Sequence, residues 1–163
     1  MIRLAEPGDL PALMRLLRDF AAYEELSHEL VADETALGAA LFGAVPRLHA
    51  LVATAAEDRD ASLIGFAFWF YTFRSFSCRP NLFIEDIYVD PSCRGRGVGL
   101  AMFRALARIA GEQGCRKLEW MVLEDNAPAR AFYARLGAAN PLRWIPQELS
   151  GEALVALASQ PTS

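Results

Sequence analysis

Hydrophobic and polar positions follow two rhythms along this chain. Residues 2–4 make a short apolar start that suits an edge strand. After Asp9, the apolar positions Leu10, Leu13, Leu16, Leu17 and Phe20 recur at helical spacing, predicting a helix capped by Asp9 and ending near Tyr23. A second helix fits residues 33–42 and stops at Gly43 and Pro46. Residues 48–53 and 63–73 read as two hairpin strands joined by the polar turn Glu57-Asp58-Arg59-Asp60. Residues 74–79 are polar and loop-like, and residues 82–89 form a strand closed by Pro91.

The run Arg94-Gly95-Arg96-Gly97-Val98-Gly99 comes next. It leads into a helix with Val98, Met102, Ala105, Leu106 and Ile109 on one face, ended by Gly114. Residues 118–123 make a strand with Trp120 and Val122 on one side. Asn126 and Pro128 open a shorter helix over 129–136, closed by Gly137 as a left-handed C-cap. A short strand near 142–145 and a helix from about Ser150 complete the pattern, with the last four residues loose. Together these elements predict an α/β fold around a mixed sheet, with a β-α-β unit over residues 82–123.

Composition narrows the class. A length of 163 residues suits a single domain spanning 1–163, and 53% hydrophobic positions exclude a disordered chain. The longest uncharged apolar stretch, 63–73, falls short of the roughly 20 residues of a spanning helix. Glu6 and Asp9 interrupt the place where a signal peptide carries its apolar run. The expectation is a soluble, cytoplasmic protein without membrane partners. Cys78, Cys93 and Cys115 are odd in number and lack CxxC spacing, and His28 and His49 are the only histidines. No disulfide framework and no metal site are therefore expected.

Charge is distributed unevenly. Residues 1–34 are rich in carboxylates (Glu6, Asp9, Asp19, Glu24, Glu25, Glu29, Asp33, Glu34), whereas 94–117 carry Arg94, Arg96, Arg104, Arg108, Arg116 and Lys117. A net charge of −4 with one basic segment around glycines suits a small anionic ligand and argues against nucleic acid. A strand feeding a glycine-rich turn at a helix N-terminus offers unpaired N–H groups where phosphate oxygens fit. The glycine spacing fails the Rossmann pattern, and Leu100 stands where a Walker motif needs Lys. A pyrophosphate cradle of another kind remains. Glu85 and Asp86 are adjacent carboxylates inside an apolar strand and so face opposite sides of the sheet. At least one is expected in a wet cleft, unless an Arg pairs with it.

The run from Arg94 to Gly99 resembles the Q/R-x-x-G-x-G/A signature of the GNAT superfamily of acetyl-CoA-dependent N-acetyltransferases, at that family's place between strand and helix. Asn126-Ala127-Pro128-Ala129-Arg130-Ala131-Phe132-Tyr133, followed by Leu136-Gly137-Ala138, resembles a second segment of the same family in register with the first. The closer resemblance is to the diamine (spermidine/spermine-type) branch. It is carried by Arg3, the helix with Ala22-Tyr23-Glu24, Ile64-Gly65-Phe66-Ala67 and Ile84-Glu85-Asp86, and it loosens at 74–81 and after Ala139.

That resemblance implies an acyl-CoA N-acyltransferase fold whose strands 82–89 and 118–123 splay around the pantetheine arm of acetyl-CoA. Backbone groups around Ile87, Tyr88 and Val89 would hold the arm, Arg94, Gly95, Arg96, Gly97, Val98 and Gly99 the pyrophosphate, and Asn126 would reach the arm. Glu85 would orient the amine and act on it through water, Tyr133 would protonate the leaving thiolate, and Tyr23, Glu24, Arg74, Glu85 and Asp86 would line the acceptor site. By residue pattern alone, Phe132, Tyr133 and Leu136 could equally be a core face.

The implied activity is acetylation of a primary amine on a small, diamine- or polyamine-like molecule by a homodimeric enzyme. Two departures point elsewhere: Arg74 and Leu142 stand where the branch has carboxylates, which suits a lysine-like amino acid. A non-catalytic acyl-CoA-binding module is the alternative from another class.

Overall fold

The computed structural model describes residues 1–55, 62–140 and 145–160. The turn expected at 57–60, and residues 142–144 of the expected late strand with Leu142, lie outside them. Two compact units emerge, Met1–Met121 and Val122–Ser163.

The first unit holds β1 (Ile2–Leu4), α1 (Leu10–Tyr23), α2 (Glu34–Phe42), β2 (His49–Thr54), β3 (Leu63–Arg74), β4 (Arg79–Val89), α3 (Val98–Glu112) and β5 (Leu118–Trp120). The sheet runs β1-β2-β3-β4-β5, antiparallel through β4, with β5 parallel to β4. This is the mixed α/β sheet expected from the sequence, with β1 at its edge. The apolar run of β3 follows from its central place, since both of its edges are paired.

Leu13, Met14 and Leu16 of α1 and Leu37 and Leu41 of α2 pack on Ala50, Val52, Phe66, Phe68 and Tyr88. Each leucine, methionine, valine or phenylalanine side chain among them, fully buried, contributes about 1.5–3 kcal/mol. Asp9 does not cap α1. A 3-10 turn over Pro7–Asp9 precedes the helix, and the Asp9 carboxylate turns back to Arg3 (2.6 and 2.8 Å) and the Glu6 N–H (2.8 Å). The Arg3 guanidinium holds the Asp9 carboxyl below its usual range. Asp33 does cap α2, accepting from the Ala36 N–H at 2.7 Å.

Three local features shape the middle of the sheet. Residues 74 and 79 are not loop but the paired ends of β3 and β4. Gly65 lets these strands approach: a Cβ there would lie 2.7 Å from the Tyr88 carbonyl oxygen. Pairing of Phe68 with Asp86 and of Trp69 with Ile84 leaves Glu85 as the extra residue of a β-bulge. A bulge bends its strand and ends a neighbouring ladder. Accordingly β5 pairs with β4 only over Leu82, Phe83 and Ile84. The strand expected over 118–123 stops at Trp120.

The second unit contains α4 (Ala127–Arg135) and α5 (Gly151–Ala158). Asn126 caps α4 by accepting from the Ala129 N–H at 3.2 Å. Gly137, at φ 82°, closes it as expected, with Ala138 N–H donating to the Tyr133 carbonyl.

Candidate active site

The bulge at Glu85 decides what the open edge of β4 presents. The Asp90 N–H donates to the Ile64 carbonyl at 2.8 Å. By the alternation of an antiparallel ladder, Tyr88 and Asp86 also turn their backbone groups toward β3. Ile87 and Val89 therefore turn theirs to the other edge, where β5 has already left the ladder. An unpaired strand edge of this kind accepts an extended, amide-bearing guest as it would another strand.

The glycine turn lies just beyond. Gly95 and Gly97 both adopt left-handed backbone, φ 73° and 81°. Gly97 is the N-cap of α3 and has no side chain to satisfy the first-turn N–H groups, which begin at Val98 and Gly99. A Cβ at Gly97 would meet nothing within 4 Å, so the approach to these donors is open. The arrangement fits a phosphate group. Arg96 is exposed, whereas Arg94 folds back: its Nε donates to the Val89 carbonyl (2.9 Å), and its guanidinium lies 4.3 Å from the Tyr23 ring centre and 5.6 Å from that of Tyr88. Arg94 and Tyr23, expected on cofactor and acceptor respectively, thus touch each other. Arg94 also occupies one of the four backbone groups that Ile87 and Val89 turn to the open edge.

The two adjacent carboxylates differ by environment. Strict alternation does not hold across a bulge, so the period of two does not by itself fix the face of Glu85. Glu85 is exposed and Asp86 is half-buried. Burial, then the charges of Glu85 and Glu24, push the Asp86 carboxyl up to about 6. Glu24, Glu85 and Asp86 therefore share one acidic neighbourhood, to which a cation would be drawn.

Beyond Asp86 the same sheet face continues through Phe70 and Phe83, whose rings lie 5.2 Å apart, to a polar cluster. Arg74 Nη2 donates to both Glu119 oxygens at 3.0 Å, and the buried Asn81 donates its Nδ2 to Glu119 Oε2 at 2.9 Å. Burial alone would raise the Glu119 carboxyl, but the hydrogen bonds from Asn81 and Arg74 hold it below its usual range. The sequence marked Arg74 but missed its partners. Alternation within the apolar strand, which puts Glu119 on the face opposite Leu118 and Trp120, was the available signal.

Asn126 and Tyr133 belong to the second unit. There the Asn126 side-chain oxygen serves as a helix cap, and the Tyr133 ring lies 5.5 Å from that of Phe132. Among the described residues no group of His, Cys, Asp and Glu is placed to hold a metal ion, and no helix is long and apolar enough to cross a membrane.

Residues 10–138 match the model of the acetyltransferase (GNAT) family. The chain is 35% identical to the thialysine N-ε-acetyltransferase of Bos taurus, over 98% of each chain. It is 28% identical to an L-ornithine N5-acetyltransferase of Arabidopsis thaliana, over 96% of this chain and 86% of that one. Among solved structures it is similar to an aminoglycoside N-acetyltransferase in complex with CoA, at 25% identity and a TM-score of 0.66, over 93% of this chain and 100% of the other.

Proposed function

Because this chain belongs to the GNAT acetyltransferase family, we propose that it moves the acetyl group of acetyl-CoA to the terminal primary amine of a small diamine or diamino acid. The observation that carries the reading is β4 itself. Its free edge at Ile87 and Val89 runs from an acidic bulge at Glu85 and Asp86 to a glycine turn open to phosphate. Acetyl-CoA supplies a thioester, an acyl donor that an amine can attack directly.

The chain's own groups then have assignable roles. An alkylammonium of pKa near ~10 must lose a proton before it attacks. Glu24, Glu85 and Asp86 draw the cation in. Asp86, at about 6, is a better proton acceptor than an ordinary carboxylate. Glu85, exposed on the bulge, orients the ammonium, and water there carries off the proton that Asp86 accepts. The Ile87 N–H on the free edge is a donor for the thioester oxygen. Val98 and Gly99 at the start of α3, with Gly95 and Gly97, take the pyrophosphate, and Arg94 fixes Val89 at the end of that edge. In this reading residues 1–163 act as one catalytic domain in which Asn126 meets the cofactor arm and Tyr133 protonates the departing thiolate. The diamine-branch resemblance adds a cytoplasmic homodimer, which light scattering on the purified chain tests.

Arg74 favours a diamino acid over a polyamine, because its guanidinium, only partly engaged by Glu119, can meet a substrate carboxylate that a polyamine lacks. The relatives named for thialysine and ornithine support the same choice. The test is release of the CoA thiol from acetyl-CoA with a panel containing thialysine, ornithine, spermidine and putrescine. Turnover is expected, greatest with a diamino acid. Thiol release no faster than the blank with every amine would overturn the proposal and favour a binding module.

A further inference from the structure

Resting on the acetyltransferase reading, we infer that the Arg74–Glu119 pair, braced by Asn81, is a receptor for the α-amino-acid headgroup of the acceptor. Its two charges would complement the acceptor's α-carboxylate and α-ammonium.

The placement follows from the sheet. Phe66, Phe68, Phe70, Thr72 and Arg74 share one face of β3, and their partners on β4 are Tyr88, Asp86, Phe83, Asn81 and Arg79. Phe66, Phe68 and Tyr88 lie under α1 and α2 in the core, whereas Phe70 and Phe83 are only half-buried. Glu119 stands beside Phe83 on β5. Asp86 and Phe83 oppose β3 residues two apart, about 7 Å along the strand, and Glu119 is one strand further across, about 5 Å. An amine held at Asp86 thus has an apolar floor of Phe70 and Phe83 and then a charged pair, in the order of a lysine-type side chain: ammonium, aliphatic chain, zwitterionic head.

The pair retains bonding capacity for such a head. Only Nη2 of Arg74 is engaged by Glu119, so Nη1 and Nε have no side-chain partner among the described residues. The Arg74 side chain is 59% exposed and can meet a carboxylate. Glu119 is 22% exposed, kept ionised by Asn81 and Arg74, and has acceptor capacity left for an ammonium. Asn81 is 2% exposed, so it holds Glu119 from below as a positioning residue. Across the pair from Asn81, the Thr72 hydroxyl is buried with no hydrogen-bond partner among the described residues, a further polar atom on this face. Neither a plain diamine nor a polyamine offers Arg74 a carboxylate.

The experiment compares kcat/KM for thialysine, for bis(2-aminoethyl) sulfide (the same chain without the carboxylate) and for Nα-acetylthialysine, whose α-ammonium is removed. Wild type should prefer thialysine over each analogue by about tenfold or more, as expected for one charge-assisted contact. Arg74→Gln should erase the preference over the sulfide diamine and leave that over the Nα-acetyl compound. Glu119→Gln, which keeps a hydrogen bond to Asn81, should do the reverse. Circular dichroism of both variants checks their fold, and the exposed Arg74→Gln variant should fold as wild type. If wild type acetylates amines but shows no such preferences, or if the ratios do not move in folded variants, the headgroup assignment is overturned while the acetyltransferase reading stands. If no amine supports thiol release, both fall.

Discussion

Replacing Asp86 by asparagine should make the protein more stable at neutral pH and leave it nearly inactive. The Asp86 carboxyl is raised from an ordinary 3.8 to about 6 by burial and by the charges of Glu85 and Glu24. At 1.36 kcal/mol per pH unit, holding this group ionised costs the folded chain about 3 kcal/mol. The sign follows from linkage. Because the folded pKa is the higher one, the protonated group's contribution to stability is complete below about pH 4. It is lost as pH rises toward and through 6, then levels off. Asparagine keeps the shape and never ionises. The Asp86→Asn variant and wild type should therefore be equally stable near pH 4, with the variant gaining up to about 3 kcal/mol by pH 8. Glu85→Gln should recover a smaller part of that gain, and Glu24→Gln less again. Urea unfolding at pH 4, 5, 6, 7 and 8 measures the difference at each pH. A difference that is the same at pH 4 and pH 8, or a variant weaker than wild type at pH 8, would refute the reasoning. Binding of a cationic acceptor should shrink the gap, because its charge lowers the cost of ionising Asp86.

Asp9 should behave with the opposite sign. Its carboxyl is held low by Arg3, so Asp9→Asn should cost about 1.5–3 kcal/mol at pH 7, with the difference vanishing as pH falls through the folded pKa. Gly97→Ala should strain a left-handed residue by about 1–2 kcal/mol without a clash and place a methyl where phosphate approaches. Calorimetry should show at least tenfold weaker acetyl-CoA binding, and unchanged affinity in a folded variant would remove the cradle. Tyr133→Phe keeps the ring beside Phe132 and should lower kcat by about 10²–10⁴-fold with little change in stability. Near-normal turnover would return Tyr133 to a packing role.

Local rules placed most of the elements. Helical spacing located α1, with Leu13 and Leu16 buried as its periodicity required, and the apolar runs located β2, β3 and β4. Gly95 and Gly97 were legible because left-handed backbone in a tight turn strongly favours glycine. Asn126 and Gly137 announced the ends of α4 for similar reasons, since capping is chemistry between near neighbours.

What sequence alone left undecided depends on partners distant along the chain. Asp9 looked like a helix cap, but Arg3, brought alongside by β1, offered its carboxylate a charged donor. The period of two fixes strand faces only while the ladder is regular. The bulge at Glu85 exists because β3 pairs with β4 in one register before it and another after it. That single irregularity ends the β5 ladder, turns Ile87 and Val89 to the free edge and leaves Asp86 more buried than Glu85. Arg74 was visible as a misplaced cation, but Glu119 lies on a strand reached only through a crossover helix, so their pairing is a property of the assembled sheet. Sequence sets which short-range geometries are cheap; the acidity of Asp86 and the company of Arg74 are set by low-dielectric burial and by long-range register, which exist only once the sheet has formed.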